Sequence, residues 1–183
     1  MEKKKYFSAL ALIFVAGGLD AFCYLMHDGM FAAMQTGNMI QIAIKLAKCE
    51  FGELGKYFLS ILAFVLGIVA AHFIGKLKKS ELISIVISFA CYAVGLLLPV
   101  GMLNWLSNLL IAFGIAIQLQ VIKSINGFSV ATTMCTGNLR GFSECVGQYT
   151  TTKEKRYLLG MLIYSTLIIS FMLGVFAVAL III

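Results

Sequence analysis

Charge is what this sequence has least of. Only 12% of its 183 residues are Asp, Glu, Lys or Arg, about half of what the surface of a soluble domain this long requires. Histidine occurs twice, at His27 and His72, far apart in the chain. The five cysteines (Cys23, Cys49, Cys91, Cys135 and Cys145) are scattered, with no CxxC and no metal-ligand spacing. An odd number lying mostly in apolar segments argues against a disulfide framework and against zinc, and reads as small buried hydrophobes. HExxH, GxSxG and Walker-type glycine loops are all missing, and no histidine is placed as an evident base. No catalytic residue, metal or cofactor is therefore expected.

What is present is apolar. Hydrophobic residues make up 61% of the chain, proline occurs once, and the mean hydropathy is +1.00. Apolar runs recur along the whole length, so the solvent for most of the exterior is expected to be lipid, with one membrane domain and no sizeable soluble appendage. The net charge of +6 sits in short knots: Lys3, Lys4 and Lys5; Lys76, Lys78 and Lys79; Lys153, Lys155 and Arg156. Knots between apolar runs are juxtamembrane anchors and topology signals, not a continuous face for nucleic acid.

Five segments, near residues 6–26, 57–75, 82–100, 105–122 and 157–180, are long and apolar enough to cross a bilayer, which takes about 20 helical residues. The first resembles a signal peptide but reads as a retained span, because it carries motif residues named below. Two further segments are ambiguous. Residues 30–46 carry Gln35, Thr36, Asn38 and Gln41, and residues 130–146 carry Thr132, Thr133, Thr136, Asn138, Arg140 and Glu144. A central Arg costs about 2.5–3.5 kcal/mol to insert, so this second segment belongs inside the bundle.

Whether these two elements span or re-enter is left open by the charges. Seven crossings put Lys45, Lys48 and Lys56 with the N-terminal lysines in the cytoplasm and 76–79 outside; five crossings reverse those two groups. Both plans put the C-terminus outside, and each breaks the positive-inside rule once. The expected fold is an all-α polytopic membrane protein of about six to seven transmembrane segments.

An internal duplication gives the expected plan. Met34-Gln35-Thr36-Gly37-Asn38 recurs one hundred positions later as Met134-Cys135-Thr136-Gly137-Asn138, with Ala16 and Leu19 in register with Ala116 and Leu119. A second block matches Phe64-Val65-Leu66-Gly67 with Phe171-Met172-Leu173-Gly174. The reading is 3+1+3: repeat one near 6–77, a linker span near 81–100 and repeat two near 104–183, with both Thr-Gly-Asn elements inside the bundle. The repeats run parallel if each has three crossings, and inverted if each has two and a re-entrant element. Either symmetry is a common ground plan for transporters.

The candidate binding residues are the polar ones inside these segments. Thr-Gly-Asn permits a break, and its Thr or Asn can cap the helix that follows; alternatively these residues only satisfy one another across a helix contact. Asp20 is an acid well inside the first span, on one face with Gly17 and Tyr24, and its repeat counterpart is Gln120 or the nearby Gln118. Arg140 would hold an anion or pair with Asp20 or Glu144. The candidate set is Asp20, Gln35, Thr36, Gly37, Asn38, Gln118, Gln120, Thr136, Gly137, Asn138 and Arg140.

At the level of these motifs the chain resembles the YoaK family of bacterial integral membrane proteins. The carrying residues are Phe14-Val15-Ala16-Gly17-Gly18-Leu19-Asp20-Ala21, Phe31 and Thr36-Gly37-Asn38, then Gly114-Ile115-Ala116-Ile117-Gln118, Thr132-Thr133 and Thr136-Gly137-Asn138. The resemblance implies a multi-pass protein of the bacterial cell membrane and no established activity. The expected function is a small-solute transporter or channel with its site between the two Thr-Gly-Asn elements. The alternatives are a non-transporting assembly or regulatory subunit, and an intramembrane enzyme. The expected partners are the lipid bilayer and a small solute or ion, with homo-oligomerisation left open and no nucleic acid.

Overall fold

The computed structural model describes residues 2–183. Seven α-helices follow in order: α1 (Lys3–Met26), α2 (Gln35–Ala47), α3 (Leu54–Ile74), α4 (Ser80–Leu97), α5 (Asn104–Leu119), α6 (Thr136–Thr152) and α7 (Lys155–Ile182). A single 3-10 turn, Phe51–Glu53, leads into α3, and a two-strand hairpin, β1 (Ser124–Ile125) with β2 (Phe128–Ser129), follows α5. The hairpin turns through Asn126 and Gly127, both at positive φ, the residue pair that such tight turns favour.

Four helices are long and apolar enough to cross a membrane: α1, α3 with its leading turn, α4 and α7. α5 is apolar but shorter, at sixteen residues, about 24 Å. α4 stops at Leu97 because Pro99 drives the residue before it, Leu98, into extended geometry (ψ 141°). Large apolar side chains such as Phe7, Phe58, Leu66, Phe73, Val86 and Met172 stand exposed on the outer faces of these helices. Such faces suit lipid and would not persist in water.

α2 and α6 are different. α2 has thirteen residues, about 20 Å and too short for a bilayer core of about 30 Å. α6 is polar, burying only Asn138, Gly141 and Cys145.

Side-chain bonds set the helix directions. Tyr6 donates to Thr166 at 2.8 Å, Ser170 donates to the Leu10 carbonyl at 2.8 Å, and Gly18 lies against Val178, so α1 and α7 run parallel. α3 and α5 also run parallel, with Ser60 near Asn108 and Gly67 on Phe113 and Ala116. α1 and α5 are antiparallel: Leu12 meets Gln118, while Leu19 and Cys23 share a core cluster with Ile111, Ala112 and Ile115. α4 opposes α5, with Ser88 bonded to the Gly114 carbonyl and Ser107 to that of Gly95. α1 packs mainly along α7, α3 and α4 along α5, α2 on α3, and α6 on α7.

These directions sort the charges. The lysines at 3–5, those in the loop 76–79 and the basic residues of the turn 153–156 fall at one end of the bundle; Lys45, Lys48 and Lys56 fall at the other. The start of α1 and the end of α7 lie at opposite ends, because the two helices are parallel.

Candidate functional site

The chain turns sharply after α1. Asp28 (φ 55°) and Gly29 (φ 73°) reverse its direction, and the Met30 N–H closes the turn on the His27 carbonyl at 3.1 Å. The segment 30–34 then runs back alongside α1 into the bundle. There the backbone N–H groups of Ala32 and Ala33 donate to one Asp20 oxygen, Oδ1, at 2.8 and 2.7 Å. Asp20 is six residues before the last residue of α1, so α2 begins about 9 Å below that helix end and climbs back toward it. Lys45 near its far end reaches Glu50 in the connection to α3, at 2.6 Å.

Asn38 holds this inward loop. It accepts from the Phe31 N–H at 3.0 Å and donates to the Phe31 carbonyl at 2.7 Å. Its amide nitrogen also lies 2.9 Å from Gln35 Oε1 and 3.1 Å from Ser60 Oγ. Ser60 donates to the same Phe31 carbonyl at 3.0 Å, and Gln35 donates to the Ala32 carbonyl at 2.7 Å. Gly37 is needed for closeness: a Cβ there would fall 2.7 Å from the Phe31 ring. Thr36 faces outward.

The second element repeats the key bonds. Asn138 accepts from the Ala131 N–H at 2.9 Å and donates to the Ala131 carbonyl at 2.7 Å. Gln118 occupies a place like that of Asp20, donating to the carbonyls of Leu12 (3.0 Å) and Thr132 (3.3 Å) while accepting from Tyr92 Oη at 2.9 Å. Gln118 is fully buried, whereas Gln120 is half-exposed. Of the two glutamines the sequence leaves open, only Gln118 joins the second loop. Thr136 and Gly137 are exposed.

Three expectations change. Neither α2 nor α6 has a side-chain cap: the helices start at or before the threonines, so each asparagine lies inside the first turn and reaches back to the loop. Arg140 projects outward instead of lying inside the bundle, and of the two pairings left open it makes the one with Glu144, at 2.7 Å and one helical turn along. Tyr24 is half exposed and stacks on Phe31 (5.1 Å between ring centres) instead of facing the bundle with Gly17 and Asp20. The candidate residues thus form two separate groups. Asp20, Gln35, Gly37 and Asn38 join the first loop, and Gln118 and Asn138 the second.

A family model described as a protein of unknown function, DUF1275, matches residues 8–183. The chain belongs to that family. Searches of curated proteins and of solved structures each found no match. The DUF1275 match covers both loop elements and every candidate residue.

Within this DUF1275 chain the asparagines and Asp20 are occupied with backbone, so hydrogen-bonding capacity left free must be sought elsewhere. Asn108 on α5 is fully buried, its carbonyl oxygen has no partner, and its amide reaches only Ser60 Oγ at 3.5 Å. One turn earlier Asn104 is buried too, with its amide 3.4 Å from Asp28. Asn104 lines a cavity of about 350 Å³ with Asp28, Glu53, Lys56 and Trp105. Lys56 there contacts Glu53 at 2.5 Å and Asp28 at 3.9 Å. At the other end of α5, the hydroxyls of Thr132 and Thr133 are buried without partners. The sequence signal for the missed pair was two asparagines four apart at the start of an otherwise apolar run, which places both on one helix face.

Among the described residues no cluster of His, Cys, Asp and Glu is arranged to hold a metal ion, and all five cysteines are free thiols.

Proposed function

We propose that this chain is a transporter or channel for a small polar solute, duplicated in a 3+1+3 plan. Five helices cross the membrane (α1, α3, α4, α5 and α7), and each half adds one element that dips in and returns. The two halves are inverted, since α1 and α5 are antiparallel, and the first helix of each half packs on the last helix of the other. Support for this plan comes from the matching asparagine bonds at 38 and 138 and from the paired breaks, a common mark of transporter binding sites. The end carrying the lysines at 3–5, 76–79 and 153–156 faces the cytoplasm. At the outer end, Lys45 and Lys56 are paired with Glu50 and Glu53, which weakens their claim as topology signals. The membrane is the cell membrane of a bacterium, as the likeness to the YoaK family implies.

The solute path follows the seam between α3 and α5. Its mouth is the cavity at Asp28, Lys56 and Asn104; its inner edge is Asn108, Ser60 and Asn38. The single observation that carries this reading is the buried, incompletely bonded Asn108 one turn beneath that cavity. A buried polar group left without a partner costs about 1–3 kcal/mol, so its retention needs a reason. Beyond it, buried Ile111, Ala112, Ile115, Ala116 and Ile117 close the seam until Gln118, about 15 Å along the helix.

The test is a thermal-shift screen of the purified chain against ions, amino acids, nucleosides, sugars and organic acids, with Asn108→Leu beside it. A solute that raises the wild-type midpoint but not that of the variant supports the path, because binding only the folded state stabilises it. A flat screen, or equal shifts in both proteins, rejects it.

A further inference from the structure

A cavity of about 660 Å³ lies at the opposite end from the polar seam. It is a groove between the first turns of α1 and α4, two helices that do not pack closely on each other. Ala11, Leu12, Ile85 and Phe89 form its walls and Val121 and Ile122 its floor. Lys3, Lys4 and Lys5 stand at one end, all exposed, with Glu81 opposite. The groove therefore has a charged mouth where α1 begins and an apolar trough running up into the bundle. From Lys3 to Leu12 the trough is about 14 Å deep.

We propose that this groove is a binding site for one anionic phospholipid. The acyl chain lies in the trough and the headgroup phosphate meets the lysines. Charge decides the class. Glu2, the other acid at the mouth, is tied down: its carboxylate accepts from the Asn126 N–H at 3.4 Å and lies 3.8 Å from Lys5. That leaves Lys3 and Lys4 in excess over Glu81. Each Lys or Arg near the surface adds to the attraction for anionic lipid. Lys76, Lys78 and Lys79 enter α4 at the same end and extend the positive collar. A hydroxylated headgroup such as glycerol can donate to the Glu81 carboxylate, which a choline headgroup cannot do. The site does not depend on any transport activity.

The experiment is thermal unfolding of the full chain in detergent with added phosphatidylglycerol or phosphatidylcholine. Phosphatidylglycerol is expected to raise the midpoint in low salt, with most of the rise lost in high salt, and phosphatidylcholine to leave it unchanged. Replacing Lys3, Lys4 and Lys5 together by Gln is expected to abolish the phosphatidylglycerol shift while the lipid-free midpoint stays put, since all three side chains are exposed. Ala11→Trp, which fills the trough, is expected to abolish it with the lysines intact. A diazirine-labelled phosphatidylglycerol should crosslink to peptides containing Ser8–Leu12 or Ile85–Phe89. Equal shifts from both lipids, a shift that survives the triple Gln change, or a full shift from glycerol phosphate without acyl chains would each overturn the proposal.

Discussion

Asn38 and Phe31 are joined by two hydrogen bonds in opposite senses, backbone N–H to side-chain oxygen and side-chain N–H to backbone oxygen. Asn138 and Ala131 are joined in the same way, again seven residues apart. An irregular segment inside a membrane has no water to satisfy its peptide groups, and each orphan is costly. A carboxamide carries one donor edge and one acceptor edge, so it can satisfy both groups of one residue, and only Asn and Gln carry that pairing.

Asn38→Ala and Asn138→Ala each strand one N–H and weaken one carbonyl contact. Each is expected to cost about 1–3 kcal/mol, read as a drop in thermal midpoint. The near-isosteric Asn38→Asp should fail almost as badly, because it loses the donor edge. A variant as stable as the wild type would mean that the clamp contributes nothing.

Asp20 serves two backbone donors, and among the described residues no cation forms an ion pair with it. Asp20→Asn keeps an acceptor oxygen and should retain most of the stability, whereas Asp20→Leu should lose about 3 kcal/mol or more. If Asn proved as damaging as Leu, the negative charge itself would be what the fold requires.

The tightest helix crossings rest on glycine. A Cβ on Gly67 would fall 2.6 Å from both the Ala116 methyl and the Phe113 carbonyl oxygen, and one on Gly174 would fall 2.8 Å from the Phe14 carbonyl carbon. Gly67→Val and Gly174→Val should each lower stability by about 1–3 kcal/mol or more through overpacking. Gly52→Val, with nothing within 4 Å of its Cβ position, serves as the control and should be nearly neutral.

Lys45 lies 2.6 Å from Glu50 and holds that carboxyl below the usual carboxylate range. A lowered folded-state value means the contribution is present above the ordinary pKa and disappears as pH falls through the lowered one. The midpoint difference between wild type and Glu50→Gln should therefore be small at neutral pH, vanish in acid, and shrink with salt. A difference that grew on acidification would contradict the pairing.

Topology is open to direct labelling. In a cysteine-free background, Lys78→Cys in intact cells should resist an impermeant thiol reagent, and Lys48→Cys should react. The opposite pattern would invert the proposed orientation.

Much of the helical plan was legible in the chain. The apolar runs located α1, α3, α4, α5 and α7 to within a few residues, since the cost of exposing peptide groups to lipid leaves a long apolar run few alternatives to helix. The polar segments stood apart by composition but were not legible as short helices preceded by inward loops, and α6 is largely exposed where the sequence placed it inside the bundle. That outcome depends on Asp20 and Asn38 finding backbone partners twelve or thirteen and seven residues away, respectively, in the folded chain. Gln118 and Gln120 are equivalent on paper; the burial of one against Leu12 separates them. Asn104 and Asn108 were hidden in an apolar stretch, because composition shows that a polar residue is present but not whether its hydrogen bonds are complete.

The sequence by itself determined a helical membrane chain, its lysine knots, and two matching Thr-Gly-Asn segments, because hydropathy and local pattern act over one or two helical turns. Only the tertiary structure decided which way each helix runs, that Asn38 and Asn138 serve their own loops, and that Asn108, Thr132 and Thr133 keep buried polar atoms without partners. Those outcomes follow from contacts between residues up to 160 positions apart, which no local pattern encodes.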